Sequence, residues 1–402
     1  SSTHGVAIIC QSGTIGNTIS FNNRSLPIGY IISLGNQSYV TIENSIDYVL
    51  EDKRVTAIGI YAEGFTNINL LIKVIEKSRN NRVPIAIVKV GRSKIASKTI
   101  FTHTGSLSGK EHIYDSLFNQ MGVTRCNTLA ELCETLKLFH QFQALKENKI
   151  CIMGPSGGDM AMIGDLSDKF SINYSTIPKN VVNKLKKVNH EGVIISNPFD
   201  LQTYNWNDPK SIKKTFDLIF KVKFNLVGLM LDFPNIEECD IEEWEDIVDV
   251  FILSAKQHNK QGVIISSLPD TFPKILREKC LKNSVVPLQG LDESLFAIHS
   301  SIKIGQAWSN NNKIIIYKTR INTNNSTKFY SEYDSKKILK RYGIDIPKSI
   351  LTSTSKAITN YKKINFPLVM KINSKNILHK TEVKGVFTNI NSKTEVKRTT
   401  QK

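Results

Sequence analysis

Short, uniformly apolar runs alternate with amphipathic segments along the first 145 residues, and this alternation constrains the fold more than any other feature. Each apolar run has the length and composition of a strand buried on both faces, and each segment between them has helical periodicity. Strand–helix alternation predicts a parallel, doubly wound sheet. The apolar runs are 6–10, 28–34, 57–62 and 84–90, and the helical segments are 41–51, 67–80, 110–121 and 128–145.

The same pattern starts again after residue 146, which predicts a second α/β domain. An apolar run at 149–153 leads into a Gly-Pro-Ser-Gly-Gly turn and then into a helix. Further strands are predicted at 226–231 and 262–266, and further helices at 241–257 and 291–308. An Asn-rich stretch follows, and then a third unit with a helix, one apolar strand and a thin core. The predicted domains are therefore 1–146, 147–310 and 329–402, with a linker at 311–328.

Composition excludes several classes of protein. No stretch has the roughly 20 uncharged apolar residues of a membrane helix, so no membrane association is predicted. The net charge of +17 is concentrated in residues 328–402, which carry +12, and Lys outnumbers Arg 43 to 10. Nucleic-acid sites favour Arg and interleaved aromatic residues, so no nucleic-acid partner is predicted. The six cysteines form no CxxC pair, which indicates reduced core residues of a cytoplasmic protein and no metal site.

Two glycine-containing turns each stand between a buried strand and a helix. The first is Gln11-Ser12-Gly13 and the second contains Ser156-Gly157-Gly158. A helix N-terminus offers unpaired N–H groups and the positive end of the helix dipole, so both turns are candidate phosphate cradles. Such turns also cap helices without any ligand, and each signal is weak by itself.

The segment 102–109 is the most unusual one, because His103 lies among small hydroxyl residues and two glycines. Imidazole is suited to nucleophilic or proton-transfer chemistry near neutral pH, and the alternative is a surface loop with an incidental histidine. Glu63 ends a predicted parallel strand, where ligand crevices form, and its carboxylate is a candidate to set the tautomer of His103. A strand-end glutamate is otherwise simply solvated.

Taken in order, these motifs closely resemble those of the NDP-forming acyl-CoA synthetases, which include ADP-forming acetate–CoA ligase and are related to succinyl-CoA ligase. The resemblance covers essentially the whole chain. It implies two flavodoxin-like, succinyl-CoA synthetase-like domains followed by the beginning of an ATP-grasp domain. The matching motifs are 11–13, 33–36, 61–64, 89–93, 103–109, 157–158, 197–201, and Lys371 with 379–382.

The family implies a reaction in which acyl-CoA and phosphate give an acyl phosphate and CoA. A histidine then takes the phosphoryl group, releases the acid, and passes the group to ADP; the sequence also runs backwards from ATP. By motif match that histidine is His103, with Thr104 and Gly105 beside it, and Glu63 orients its ring. The helices after the two glycine turns are then the pair whose N-termini face the phosphohistidine.

In the third unit Lys371 matches a nucleotide-contacting lysine, and His379 matches a histidine proposed in some relatives as a second phosphoryl carrier. The alternatives are a solvated strand-end lysine and a structural histidine. Lys384 stands where the family usually has the first glycine of a pair, which puts the backbone geometry of that loop in question.

The implied ligands are ATP or ADP, Mg²⁺, CoA, phosphate and a small-molecule acid. The family's CoA-binding domain is expected before residue 1 and most of the ATP-grasp domain, with its acidic magnesium ligands, after residue 402. We therefore expect a fragment that needs these parts in cis or in trans, and a homo-oligomer. The alternative function is a ligand-sensing module of a protein lysine acetyltransferase, although those modules typically lose the histidine that this chain retains.

Overall fold

The computed structural model describes residues 4–96, 111–310, 329–377 and 380–401. The chain divides into two compact units, Ser1–Ile315 and Ile316–Lys402. The two predicted α/β domains together form the first unit. The second unit contains the predicted ATP-grasp segment.

The first sheet has five parallel strands in the order β2-β1-β3-β4-β5, the flavodoxin-like order 2-1-3-4-5. Its strands are β1 (Gly5–Cys10), β2 (Ile28–Ser33), β3 (Val55–Ala62), β4 (Ile85–Lys89) and β5 (Thr124–Cys126). The helices described around it are α1 (Gly13–Ser20), α2 (Ile42–Val49), α3 (Ile68–Asn80), α4 (Glu111–Met121) and α5 (Leu129–Phe142). The switch in strand order places the carboxyl ends of β1 and β3 next to each other.

Burial follows position in the sheet. Every residue of β1 is buried, because β1 lies between β2 and β3 and is covered on both faces. The expectation of burial on both faces is wrong for β2, whose residues alternate between half-buried and exposed. As the edge strand, β2 pairs on one side only, and Ile31 on its less covered face is 41% exposed.

The second sheet repeats this topology. Its order, β10-β9-β8-β6-β7, becomes 2-1-3-4-5 when the strands are counted from β6 and the sheet is viewed from the other edge. The strands are β6 (Ile150–Gly154), β7 (Phe199–Asp200), β8 (Leu226–Met230), β9 (Gly262–Ser266) and β10 (Val285–Gln289). The helices are α6 (Gly157–Phe170), α7 (Lys179–Leu185), α8 (Pro209–Phe220), α9 (Glu242–Gln257), α10 (Lys274–Lys282) and α11 (Leu291–Ser309).

The two sheets are joined through α5, which packs against α11 and β10. Glu134 and Lys137, one turn apart on α5, are completely buried and form an ion pair of 2.7 Å. Glu134 also accepts hydrogen bonds from Arg24 Nη1 at 2.7 Å and from the Gln289 backbone N–H at 2.9 Å. Lys137 Nζ donates to the carbonyl of Pro287 at 2.7 Å. This junction fixes β10 to the first sheet through charged groups that are all satisfied.

The second unit contains α12 (Glu332–Arg341), α13 (Thr354–Asn360), the antiparallel strands β11 (Leu368–Lys371) and β12 (Val386–Ile390), and α14 (Lys393–Thr400). Among its described residues, the buried apolar side chains are those of Ala357, Ile390 and Val396. Lys384 has φ = 52°, so the loop adopts a left-handed conformation without the glycine that the family pattern provides. None of the helices that the structure describes combines the length and apolar character that crossing a bilayer requires.

Candidate active site

The carboxyl ends of β1 and β3 are tied together by Gln11. Its side-chain oxygen accepts hydrogen bonds from the backbone N–H groups of Glu63 and Gly64 at 2.8 and 3.2 Å. Its own backbone N–H donates to the carbonyl of Tyr61 at 3.0 Å. Gln11 is buried, and these contacts use its carbonyl oxygen to shape the turn that carries Glu63. The predicted site residues Gln11 and Glu63 are therefore brought together.

The N-terminus of α1 opens at the same end of the sheet. Ser12 is its N-cap, and the Ser12 hydroxyl accepts a hydrogen bond from the Ile15 N–H at 3.4 Å. The first turn of α1 contains no acidic residue, so its positive dipole end is not neutralised by its own helix. The cap explains Ser12 structurally, and the remaining N–H groups of the turn keep the capacity to bind an anion.

Glu63 carries the most informative feature of this site. Its Oε2 atom is buried and has no hydrogen-bond partner among the described residues. A buried carboxylate oxygen without a partner is costly, which marks a position where a donor is expected. Burial, followed by the charge of Glu63, raises the pKa of the neighbouring Tyr61. His103, Thr104 and Gly105 lie outside the described residues, so the pairing of Glu63 with His103 stays a prediction.

A group of shielded charges involves Lys89 and Glu111, which lie on either side of the segment containing His103 in the sequence. The side chain of Lys89, at the end of β4, is fully buried and donates to the Val90 carbonyl at 2.6 Å and to Glu111 Oε1 at 3.1 Å. Glu111 begins α4 and also pairs with Arg125, which donates to the Lys89 carbonyl at 2.9 Å. Burial lowers the pKa of Lys89. Sequence reasoning missed this cluster, because nothing in the pattern shows that these charges meet.

The second glycine turn also lies at a serine-capped helix start, but carboxylates surround it. Ser156 caps α6, and its hydroxyl accepts a hydrogen bond from the Asp159 N–H at 3.3 Å. A Cβ atom on Gly157 would lie 2.9 Å from Asp200 Oδ2, so a side chain there would require a shift of Asp200. Burial, then the charges of Asp232 and Asp200, raise the pKa of Asp159. Carboxylates therefore already surround this helix start, unlike that of α1.

The two glycine turns belong to different sheets. Among the described residues, no hydrogen bond or ion pair joins Ser12, Gly13 or Glu63 to Ser156, Gly157 or Gly158. The predicted convergence of both helix starts on one histidine stays a prediction.

In the second unit, Lys371 ends β11, and its Nζ lies 2.5 Å from Glu332 Oε1. Its strand-end position agrees with the sequence prediction, and its ion pair was not foreseen. His379 lies outside the described residues. Within the part of the chain that the structure describes, no group of three or more His, Cys, Asp or Glu side chains is arranged to hold a metal ion.

Comparison with protein families gives two matches in the order expected from the fold. Residues 3–139 match the succinyl-CoA ligase like flavodoxin domain, and residues 322–402 match an ATP-grasp domain. The chain therefore combines a region similar to the flavodoxin-like domain of succinyl-CoA ligase with a region similar to an ATP-grasp domain. In this combination of matches the chain is similar to the NDP-forming acyl-CoA synthetases.

Two proteins that are similar in sequence come from archaea. The chain is 28% identical over 407 residues to the ADP-forming acetate–CoA ligase of Methanocaldococcus jannaschii, covering 96% of this chain and 56% of that protein. It is 24% identical to the ADP-forming 4-hydroxybutyrate–CoA ligase of Nitrosopumilus maritimus, covering 98% of this chain and 57% of that protein. The chain thus spans little more than half the length of these relatives.

A third relative is divided between two polypeptides. The chain is 29% identical over 198 residues to the α subunit of acetate–CoA ligase II of Pyrococcus furiosus, covering 49% of this chain and 43% of that subunit. It is 40% identical over 68 residues to the β subunit of that enzyme, covering 17% of this chain and 29% of that subunit. Homologues of this chain therefore include separate α and β subunits.

Among solved structures, the chain resembles acetyl-coenzyme A synthetase 1 of Candidatus Korarchaeum cryptofilum, determined in complex with phosphate and ADP. The TM-score is 0.66 and the identity 18%, over 76% of this chain and 66% of that one. This likeness shows that the fold is shared.

Proposed function

We propose that this chain is the phosphohistidine-bearing part of an acid–thiol ligase that converts acyl-CoA, phosphate and ADP into a carboxylic acid, CoA and ATP, in either direction. Its family, its domain order and its archaeal ligase relatives support this activity. The relatives reported above are ligases, and nothing among them supports the regulatory alternative. They act on different acids, so the acyl group stays open.

We propose His103 as the phosphoryl carrier. Phosphate displaces CoA from the acyl group to give an acyl phosphate, and an imidazole nitrogen of His103 then attacks phosphorus while the P–O bond to the carboxylate breaks. The phosphohistidine gives its phosphoryl group to ADP, which restores the free imidazole. The observation that carries this proposal is the buried Oε2 of Glu63, which has no hydrogen-bond partner among the described residues and is suited to accept from a ring N–H.

We assign phosphate binding first to the turn Gln11-Ser12-Gly13, because the first turn of α1 holds no carboxylate and Gln11 positions Glu63. Thr104, Gly105, Ser156, Gly157 and Gly158 are proposed to complete the site through N–H and hydroxyl donors. The carboxylates around α6 make the second turn the weaker anion site of the two.

The nucleotide is proposed to bind at the ATP-grasp unit through Lys371, with His379 as a second phosphoryl carrier. The described residues do not fit a Mg²⁺ site, so we propose that the magnesium ligands lie elsewhere in the assembly. Because the chain spans only 56–57% of these ligases, we propose that a CoA-binding domain and a further ATP-grasp portion act with it, in cis or in trans. A cytoplasmic location is supported by six free thiols, five of them buried. A homo-oligomer stays a prediction.

The test is phosphoryl transfer from γ-labelled ATP to the chain, supplied with the CoA-binding and remaining ATP-grasp parts. His103→Asn is expected to abolish acid-labile label. His112→Asn, which changes an exposed histidine on α4, is the matched control and should label like the wild type. Glu63→Gln should slow labelling about 10- to 100-fold while the fold stays intact, because it removes the charge that orients the ring. Undiminished labelling of His103→Asn would disprove the carrier assignment.

A further inference from the structure

The turn 63–67, which joins β3 to α3 and carries Glu63 at its first position, is held by three buried polar side chains from other elements. Gln11, directly after β1, accepts hydrogen bonds from the first two N–H groups of the turn. Two further side chains contact the turn from another direction. They belong to Gln37, in the segment between β2 and α2, and to Glu43, in α2 itself.

Gln37 connects the turn to the start of α2. Its Nε2 donates to the carbonyl of Gly64 at 3.0 Å, and its Oε1 accepts from the backbone N–H of Ile42 at 2.9 Å. Gln37 is buried and has φ = 58°, a left-handed conformation that residues other than glycine rarely adopt. The carboxamide therefore links the backbones of two elements and fixes the residue that directly follows Glu63.

Glu43, in the first turn of α2, is completely buried and holds the other end of the turn. Its Oε1 accepts hydrogen bonds from the backbone N–H groups of Thr66 and Asn67 at 2.9 and 2.8 Å. Its Oε2 accepts from the Thr66 hydroxyl at 3.3 Å. Three neutral donors of the turn thus surround a carboxylate that solvent does not reach, and burying such a charge is costly.

Aromatic packing fixes the middle of the turn. The ring centroid of Phe65 lies 5.7 Å from that of Tyr114 and 6.1 Å from that of Phe118, both on α4. Segments that only connect a strand to a helix usually lie in solvent and move, so this degree of fixation exceeds what a connection needs. The group that the turn presents is the Glu63 carboxylate, whose Oε2 is buried and has no partner among the described residues.

We propose that Gln37 and Glu43 are positioning residues for phosphoryl transfer. They fix the turn 63–67, and the turn holds the Glu63 carboxylate where the imidazole of the phosphoryl carrier needs an acceptor. This inference rests on the proposed function of Glu63 and His103 and adds two residues that act through Glu63. Both act by hydrogen bonds to the backbone, so the length and hydrogen-bonding capacity of each side chain matter, and the charge of Glu43 does not.

The first experiment compares rates of labelling from γ-labelled ATP in the chain supplied with the CoA-binding and remaining ATP-grasp parts. Gln37→Met and Glu43→Met should each slow labelling about tenfold, because a small displacement of an orienting group is costly. Glu43→Gln should stay within about twofold of the wild type, since an amide can accept from both N–H groups and donate to the Thr66 hydroxyl. Thr56→Val, which removes hydrogen bonds at the opposite end of β3, is the matched control and should label like the wild type.

A milder variant keeps the charge and changes only the reach of the side chain. Glu43→Asp shortens it by one methylene group and should slow labelling about fivefold, including in the case that Glu43→Met does not fold. A fast Glu43→Asp together with a slow Glu43→Gln would show that the charge acts, and would overturn positioning by hydrogen bonds.

Double variants with Glu63→Gln give the decisive result. If Gln37 and Glu43 act through Glu63, adding Gln37→Met or Glu43→Met to Glu63→Gln should slow labelling by less than about a further twofold. Losses that multiply to the full extent would mean that the two side chains only support the fold, and would overturn the proposal.

Amide hydrogen exchange of the full chain examines the turn without turnover. Glu43→Met should raise the exchange rates of the Thr66 and Asn67 amides about tenfold or more, because both lose their acceptor, and Thr56→Val should leave them unchanged. Unchanged exchange in Glu43→Met would overturn the anchoring. Absence of label in the wild type would overturn the proposed function and this inference together, whereas a labelled wild type with multiplying losses overturns the positioning alone.

Discussion

The buried pair Glu134–Lys137 allows a quantitative test of how the two sheets are held together. Both side chains are completely buried, and the pair distance is 2.7 Å. Removing one partner of a buried ion pair typically costs about 3–5 kcal/mol, because the other charge is left uncompensated. In Lys137→Met, Glu134 would keep Arg24 and the Gln289 N–H, so we expect the lower end, about 3 kcal/mol of the free energy of unfolding.

A double variant of Glu134 and Lys137 separates the energy of their ion pair from the effect of changed packing on stability. Glu134→Gln alone leaves the Lys137 ammonium with the Pro287 carbonyl, and we expect it to cost about 3 kcal/mol. In Glu134→Gln/Lys137→Met no buried charge of the pair remains, so the double variant should cost clearly less than the sum of the two single variants. Urea unfolding followed by tryptophan fluorescence and circular dichroism measures all four proteins. Strictly additive costs, or a Lys137→Met cost below about 1 kcal/mol, would refute the reasoning.

Two further predictions concern the packing around Gly305 and Gly164 and the charge of Glu332. Gly305→Ala should destabilise the first unit by about 3 kcal/mol or more in urea unfolding, because a Cβ there would lie 1.8 Å from the backbone oxygen of Leu145. Gly164→Ala on α6, where a Cβ meets nothing within 4 Å, should instead stabilise by up to about 1 kcal/mol, and equal effects would contradict the packing argument. Ion pairs with Lys336 first, then with Lys371 and Lys380, lower the pKa of Glu332 from 4.5 to about 2. The resulting stabilisation is complete above about pH 4.5 and is lost as pH falls through 2, so Glu332→Gln should flatten the fall in melting temperature of the second unit over that range.

Most of the secondary structure can be predicted, because strands that are buried on both faces of a parallel sheet consist of short apolar runs. The apolar run at 262–266 predicts β9, the turn at Ser156 predicts the start of α6, and both are present in the structure. The strand β10 is not predicted, because Pro287 interrupts its apolar run. A proline is tolerated there since β10 lies at the edge of its sheet. The two-residue strand β7 is too short to show any periodicity.

At the candidate site, the sequence predicts only those roles that depend on the residue type at one position. Ser12 and Ser156 are N-caps, and the residue type before a helix reveals that role. The helix α5 shows the limit: its apolar stripe predicts one buried face, and Glu134 and Lys137 lie outside that stripe. Both are buried because the second sheet covers the other face of α5. The pattern of residues within the helix cannot predict this, because the partner of Lys137, Pro287, lies 150 residues further along the chain.

The helix α5 also limits how the two sheets can be recombined with other domains. The hydrogen-bond partners of Glu134 and Lys137 lie on β10 and at Arg24. If either sheet were fused to an unrelated domain without the other sheet, a buried charge would lose its partner. The two sheets form a single transplantable block. A chimeric protein that folds would have to contain both sheets, with its fusion points before the first sheet and after the second in the sequence.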